Sequence, residues 1–446
     1  MTRDINDLAA AAVAAARDGE AVEAYAEESR HTDIEARKGE VEGLTSAESR
    51  GVGVRVIAGG RLGFAYAADP SDDEIVATVA RAGENASLGT EDENNVLADA
   101  SEYESIEGLF FDEQAAMPAD DKVSLALQVE RVAVSSDPNV GKVEQCGFGD
   151  AIGRVAIAST TGVSAEFRRT GCWCVAVTLA ERDGDTQTGF SFQVAHRAAD
   201  LDPDAVAREA AERAARMLGA VKPQTQRVPV LLDPFAASSF LGVLAGALSA
   251  ESVQKGRSLF ADLVGERVGA DVFTLVDDGR LLDGPAAAPF DDEGVPAGRT
   301  DLIGAGVLNG FLHNTYTARR GSTTSTGNAS RAGYRSTPGV GATNFYLQPG
   351  SMSFESLVAK ADGGVLIQDV SGVHSGANPI SGEFSVGATG LRIAGGALGE
   401  PVREMTIAST LPDMLKSVAA VGSDLRFFSS VGTPSILISE MTLAGV

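Results

Sequence analysis

Residues 51–68 read Gly-Val-Gly-Val-Arg-Val-Ile-Ala-Gly-Gly-Arg-Leu-Gly-Phe-Ala-Tyr-Ala-Ala. Bulky apolar residues alternate with small or polar ones on both sides of Gly59-Gly60. That pair suits a two-residue hairpin, because both positions tolerate positive φ. The stretch therefore predicts two antiparallel strands, 51–57 and 61–67. The pattern returns later in the chain. Gly171-Cys172-Trp173-Cys174 and Gly189-Phe190-Ser191-Phe192 stand where Gly51-Val52-Gly53-Val54 and Gly63-Phe64-Ala65-Tyr66 stand in the first copy.

Working outward, each copy has the same surroundings. Before the first copy, Ile5, Leu8, Ala9, Ala12 and Val13 share one helical face, and Asp18-Gly19 ends that helix. Val22, Ala24 and Ala26 then alternate with polar residues as a half-buried strand does. A second extended run, with Thr32, Ile34 and Ala36, turns near Lys38-Gly39. After the hairpin, Pro70-Ser71 opens a helix carrying Ile75, Val76, Val79 and Ala82. In the second copy, a helix over residues 120–134 aligns Leu125, Val129 and Val132. Strands 153–159 and 163–167 flank a Ser159-Thr160-Thr161-Gly162 turn, and a helix begins at Asp202. An acidic stretch, residues 91–118, joins the copies.

The expected fold class is α+β. Residues 1–221 form a duplicated helix–strands–helix N-terminal domain with an antiparallel sheet. The segment Lys222-Pro223-Gln224-Thr225-Gln226-Arg227 marks a boundary, and residues 228–446 form a β-rich C-terminal domain around mixed sheets. Two helices interrupt it: one starts at Asp233-Pro234, an N-cap with proline at the first helical position, and the other covers about 411–418. Gly363-Gly364 and Gly395-Gly396 mark turns.

With 36 Lys and Arg against 62 Asp and Glu, the net charge is −26, which repels duplex DNA and argues against nucleic-acid binding. Asp4, Asp7, Arg17 and Asp18 argue against a signal peptide, and no run of about 18 uncharged apolar residues offers a membrane span. The expected location is cytoplasmic. Three cysteines, Cys146, Cys172 and Cys174, are too few for a disulfide framework. Cys172 and Cys174 flank Trp173 in a strand and share a face, as small buried thiols do.

The four histidines, His31, His196, His313 and His374, are scattered, and none belongs to a His-Glu-x-x-His helix. No Gly-x-Ser-x-Gly elbow or Walker loop occurs. His374 and Ser375, in an extended chain, point to opposite faces and cannot pair as base and nucleophile. Asp291-Asp292-Glu293 before Gly294 reads as a solvated turn, with cation binding the minor alternative. Segment 315–343 gathers Arg319, Arg320, Arg331 and Arg335 among Gly, Ser, Thr and Asn. It reads either as a solvated surface loop or as a set of guanidinium forks for a carboxylate or an extended peptide. The run from His374 to Ser385 is equally dense in turn formers and brings polar groups close to a ligand or to a neighbouring loop.

Taken together, Pro289-Phe290-Asp291-Asp292-Glu293-Gly294-Val295-Pro296, Asn314-Thr315-Tyr316-Thr317-Ala318-Arg319-Arg320 and the run from His374 to Val386 form a set. With Met405-Thr406-Ile407-Ala408, Val421-Gly422-Ser423-Asp424-Leu425-Arg426-Phe427 and Ser46-Ala47-Glu48-Ser49-Arg50-Gly51, it closely resembles the TldD/PmbA family on its PmbA (TldE) branch. The resemblance spans nearly the whole chain. It implies a duplicated N-terminal half, and a zinc metallopeptidase on the TldD branch, whose ligands lie in a His-Glu-x-x-x-His helix with a later cysteine. Laid on the helix after Asp233-Pro234, that motif falls on Leu241, Gly242 and Gly246, and no cysteine follows Cys174. Leucine and glycine side chains offer zinc no lone pair.

The resemblance thus implies a non-catalytic subunit, with no catalytic residue, metal ligand or cofactor of its own. It would pair with a TldD-like metallopeptidase that brings the zinc, and the two together would process unfolded peptides. Arg319, Arg320, His374 and Asn378 are the expected peptide contacts: arginine for a carboxylate, asparagine for backbone. A second reading stays open from the family's older description as a modulator of gyrase. It is a stand-alone binding or regulatory protein, acting on gyrase or a toxin–antitoxin system, in which a homodimer would form.

Overall fold

The computed structural model describes residues 3–445. Its N-terminal part runs α1 (Ile5–Ala14), β1 (Ala21–Arg37), β2 (Glu40–Ala58), β3 (Arg61–Ala68), α2 (Asp72–Leu88), a short α3 (Asp112–Ala115), α4 (Ala119–Ser136), β4 (Val140–Ser159), β5 (Ser164–Arg182), β6 (Asp185–Ala195) and α5 (Pro203–Ala215). Each copy is a helix, a three-stranded antiparallel meander and a second helix. The copies join through antiparallel pairing of β1 with β4, which gives one six-stranded sheet in the order β3-β2-β1-β4-β5-β6. Gly59 and Gly60 take φ of 57° and 71° in the β2–β3 turn. Ser71 caps α2 in a reciprocal capping box with Glu74.

Glycines record how closely the layers meet. A Cβ on Gly63 would lie 2.0 Å from the carbonyl oxygen of Ala82 in α2, and one on Gly189 would lie 2.1 Å from that of Ala210 in α5. Equivalent glycines in the two copies therefore let an alanine-faced helix lie on the sheet. Gly53 serves the opposite face: a Cβ there would stand 2.2 Å from the main-chain oxygen of Tyr334, in the C-terminal part. In Gly51-Val52-Gly53-Val54 the valines fill the helix-side core and the glycines admit the other domain.

The C-terminal part begins with β7 (Gln226–Leu232), α6 (Pro234–Ala247), α7 (Ala250–Gln254), β8 (Leu275–Asp278), β9 (Arg299–Gly304), β10 (Val307–Leu308), α8 (Thr315–Arg320), β11 (Ala329–Ser330), β12 (Gly339–Val340) and β13 (Phe345–Leu347). It continues with α9 (Phe354–Lys360), β14 (Val365–Ser371), α10 (Val373–Gly376), β15 (Glu383–Ala394), β16 (Ala397–Thr410), α11 (Leu411–Lys416), β17 (Val418–Val421), β18 (Arg426–Phe428), β19 (Val431–Thr433) and β20 (Ile436–Ala444). The two helices expected from sequence are present as α6 and α11. Four further helices of seven residues or fewer accompany them, each too brief to show periodicity.

One sheet runs β16-β15-β14-β7-β20-β17, and β16 also pairs with β20, so that five of its strands close a ring. Closure removes the exposed edges that an open sheet would leave. A second sheet runs β10-β9-β8-β13-β19-β18. Pairings are antiparallel except β7–β14 and β13–β19. The ring sheet is apolar on both faces: Val230, Leu232 and Ile367 join one core, and Leu231, Leu366 and Leu437 join another. Asp233 caps α6 through Ala236 N at 2.9 Å and also receives Arg213 of α5 at 2.6 Å, which ties the helix start to the N-terminal part.

One tie between the parts is a buried ionic network. Glu23 of β1 and Arg55 of β2, on the helix-free sheet face, are 1% and 5% exposed. Arg55 reaches Glu23 at 2.5 Å and Glu293 at 2.9 Å, and Arg331 also bonds Glu23. Burial alone would raise the Glu23 carboxyl, but the Arg55 and Arg331 guanidiniums hold it below its ordinary range. The expectation of a solvated turn at Asp291-Asp292-Glu293 is therefore corrected: Asp291 and Glu293 are buried and Asp292 is half-buried, with Asp291 accepting from the Glu293, Val295 and Ala329 amides.

Replacing Arg331 with Met should destabilise the protein by about 3 kcal/mol or more, because a buried carboxylate loses a partner. Urea unfolding measures this, and a change within about 0.5 kcal/mol would show the network to be expendable. Glu209 of α5 supplies a pH test. Burial acts to raise its carboxyl, yet the Arg426 bond at 2.7 Å, helped by Ser191 and Arg213, lowers it. A lowered folded value contributes stability that is present above the unfolded pKa and is lost as pH falls through the folded one. The stability gap between the parent and Glu209→Gln should thus hold steady from pH 8 to 6 and shrink below about pH 4.3. Urea unfolding at stepped pH reads the gap, and one that stays constant into strong acid would count against this coupling.

Candidate functional site

Helix α6 carries the positions onto which the zinc motif falls. Leu241 is fully buried in the C-terminal core. Gly242 and Gly246 lie on the outer face, where an added Cβ meets nothing within 4 Å. Positions five apart on an α-helix differ by about 140° around the axis. In this register the helix therefore offers no donor set for zinc: one position is in the core, and the other two lack side chains. Among the described residues no group of three His, Cys, Asp or Glu side chains stands close enough to hold a metal ion.

Cys146, Cys172 and Cys174 are buried on the helix side of the N-terminal sheet. Burial pushes the Cys146 and Cys174 thiols up to about 12, and Cys172 rises likewise. They are packing residues, without the thiolate that nucleophilic chemistry needs.

The four residues nominated from sequence fall in two places. Arg319 and Arg320 form the exposed end of α8, whose start is capped by Asn314. His374 is exposed on α10, and Asn378 is exposed in the loop that follows. Segment 249–260 lies between the two pairs. It touches α8 through Gln254, which donates to Thr317 O at 2.7 Å, and the second loop through Leu259, which donates to Pro379 O at 3.1 Å. The Asn378 side-chain oxygen accepts the Ile380 and Ser381 amides, at 2.8 and 3.1 Å, and so shapes its own turn. His374 and Ser375 sit in a helical turn rather than an extended run, with Ser375 bonded to Gly372 O at 3.1 Å. The other two arginines of the 315–343 segment serve structure: Arg331 is in the ionic network, and Arg335 bonds the Tyr334 hydroxyl at 2.9 Å.

A concave feature that the sequence did not announce lies elsewhere. A cleft of about 520 Å³ separates the helix-free face of the N-terminal sheet from the C-terminal segments around 285–292, 329–333 and 341–343. Tyr25 and Glu27 of β1, Arg169 and Trp173 of β5, and Asp292 line it. Its size is that of an ordinary ligand site. The signal in the sequence was the alternation in β1, which put Glu23, Tyr25 and Glu27 on one face. That pattern is equally compatible with water and with a second domain.

Comparison with known proteins follows the same architecture. The chain matches the PmbA/TldA metallopeptidase domain 1 over residues 22–86, the central domain over 112–218 and the C-terminal domain over 225–445. It is 28% identical to Metalloprotease PmbA of Escherichia coli O157:H7, over 92% of this chain and 89% of that protein. It is 26% identical to a Metalloprotease TldD homolog of Haemophilus influenzae, over 89% and 87%. A crystal structure of a candidate modulator of a DNA gyrase from Thermotoga maritima superposes with a TM-score of 0.91 at 27% identity, covering 99% of this chain and 100% of that one. The chain is therefore a member of the PmbA/TldD family, on its PmbA branch.

With all three thiols buried, a water-soluble disulfide reagent at pH 8 should label none of them in the folded protein and three per chain in urea. Rapid labelling of Cys172 or Cys174 in the native state would contradict their packing role.

Proposed function

We propose that this chain is the non-catalytic subunit of a two-subunit metallopeptidase that processes unfolded peptides, with the zinc and the general base supplied by a TldD-like partner. The observation that carries the reading is α6. Where the resemblance expects donors, it has a core leucine and two bare glycines, which supports a chain that relies on a partner for zinc. The metallopeptidase names of its relatives belong to those proteins, and no hydrolytic step can be routed through the side chains present on this helix. The similarity to both PmbA and TldD homologues supports a pairing of two related chains. The open face of α6, with Gly242 and Gly246 one turn apart, leaves room for a neighbour to come close. Arg319, Arg320, His374 and Asn378 remain our nominees for contact with the peptide, and their exposure at two loop clusters allows it.

Elemental analysis of the purified chain should find no stoichiometric zinc, and the chain should cleave no unfolded peptide by itself. Co-expressed with a TldD-like metallopeptidase, it should co-purify in a one-to-one complex and raise that enzyme's peptidase activity. One tightly held zinc per chain, or proteolysis by the isolated chain, would overturn the reading. A homodimer indifferent to the metallopeptidase would favour the stand-alone regulatory alternative.

A further inference from the structure

The cleft between the N-terminal sheet and the C-terminal segments holds polar groups that the fold leaves unused. Tyr25 is 4% exposed, and the Arg331 guanidinium stacks 4.9 Å over its ring. Its hydroxyl, in the cleft wall, has no hydrogen-bond partner among the described residues. The hydroxyl is not sealed from solvent, and in the cleft it is available to donate to a ligand. Burial first, then the nearby Asp292 and Glu27 carboxylates, raise the phenol well above its ordinary value against the opposing Arg331 and Arg169, which keeps it a donor.

Arg169 lines the same cleft, close enough to act electrostatically on both Tyr25 and Asp292, and its side chain forms no ion pair or hydrogen bond among the described residues. Glu27 and Asp292 each use one oxygen, for the Tyr334 amide at 3.1 Å and the Arg331 amide at 2.7 Å. Each has a second oxygen without a partner among the described residues. Two free donors, one of them cationic, therefore stand across from two free acceptor oxygens. The donors complement a carboxylate, and the acceptors complement N–H groups a short distance from it. Bare main chain at Gly153, Gly171 and Gly333 lines the walls, which leaves width for a backbone.

We propose that this cleft binds the free carboxylate end of a short peptide, with Arg169 and the Tyr25 hydroxyl on the carboxylate and Glu27 and Asp292 on the amide N–H groups behind it. The choice of a peptide as ligand rests on the peptide-handling reading above. The carboxylate preference rests on the cleft alone.

Trp173, the single tryptophan of the chain, lies in the cleft wall and reports occupancy by its fluorescence. Its ring stacks on His31 at 5.2 Å, so pH is held constant during titration. Tri-alanine added to the full chain should change the emission saturably, with calorimetry as the second readout. Tri-alanine amide should bind about tenfold more weakly, since it loses the charge-assisted bonds. Arg169→Gln, at an exposed position that the fold does not need, should weaken the acid about tenfold and erase the difference between acid and amide. Tyr25→Phe should weaken the acid by several-fold while leaving the amide unchanged.

The proposal fails if acid and amide bind alike, if neither readout detects binding of the acid, or if inorganic phosphate binds as tightly and reveals a general anion site. All of this is measured without a partner or zinc. Its failure leaves the subunit reading standing, and a failed complex leaves the cleft result standing.

Discussion

Two carboxylates and two guanidiniums, removed from water, hold the halves of this molecule in register. Glu23 and Arg55 come from adjacent strands of the N-terminal sheet, and Glu293 and Arg331 from C-terminal loops. None of the four is tolerable alone in that setting, since an unpaired buried charge costs several kcal/mol. Glu23 and Arg55 pair within the N-terminal sheet, whereas Glu293 and Arg331 find their charged partners there only when the two halves dock. The network is thus more demanding than an apolar contact, which tolerates sliding. It specifies one position, and it fixes what lies beside it: the Arg331 guanidinium over Tyr25, the Arg331 amide on Asp292, and so the floor of the interdomain cleft.

Around this point the sheet is built for close approach. Gly51 and Gly53 are bare because Tyr334 lies against them, and Gly63 and Gly189 are bare because helices do. Apolar docking completes the interface at its other end, where Phe190 meets Phe235 at 4.6 Å and Phe235 meets Phe428 at 5.4 Å. Arg213, on Asp233, links α5 to the start of α6. The start of α6 is therefore firmly anchored to the N-terminal part.

Much of the fold was legible in residue order. The duplicated hairpin, the capping of α2 by Ser71, the capping of α6 by Asp233 and the same-face burial of Cys172 and Cys174 follow from local rules: periodicity, turn chemistry and cap geometry. The closure of β16 onto β20 was not legible, because pairing between distant strands leaves no local mark. Nor were the short helices α7 to α10, which span seven residues or fewer. Asp291-Asp292-Glu293 read as solvated because three acidic residues before a glycine usually are. Only the fold brings Arg55, far away in sequence, to Glu293, and backbone amides of residues 293, 295 and 329 to Asp291. Among the segment's arginines the sequence offered no way to separate Arg331, which is locked inside, from Arg319 and Arg320, which are exposed.

What residue identity settled by itself is the chemistry of single positions: leucine and glycine side chains at Leu241, Gly242 and Gly246 carry no lone pair. Identity also settled the repeat, because equal patterns of apolar and small residues produce equal local structures. What only the tertiary structure decided is the role of each polar face. Alternation says that Glu23, Tyr25 and Glu27 share a side of β1, but the energy of a charged or hydroxyl group depends on what stands opposite it, whether water, a guanidinium or an empty cleft. That partner comes from a part of the chain hundreds of residues away, so its identity appears only when the two halves meet.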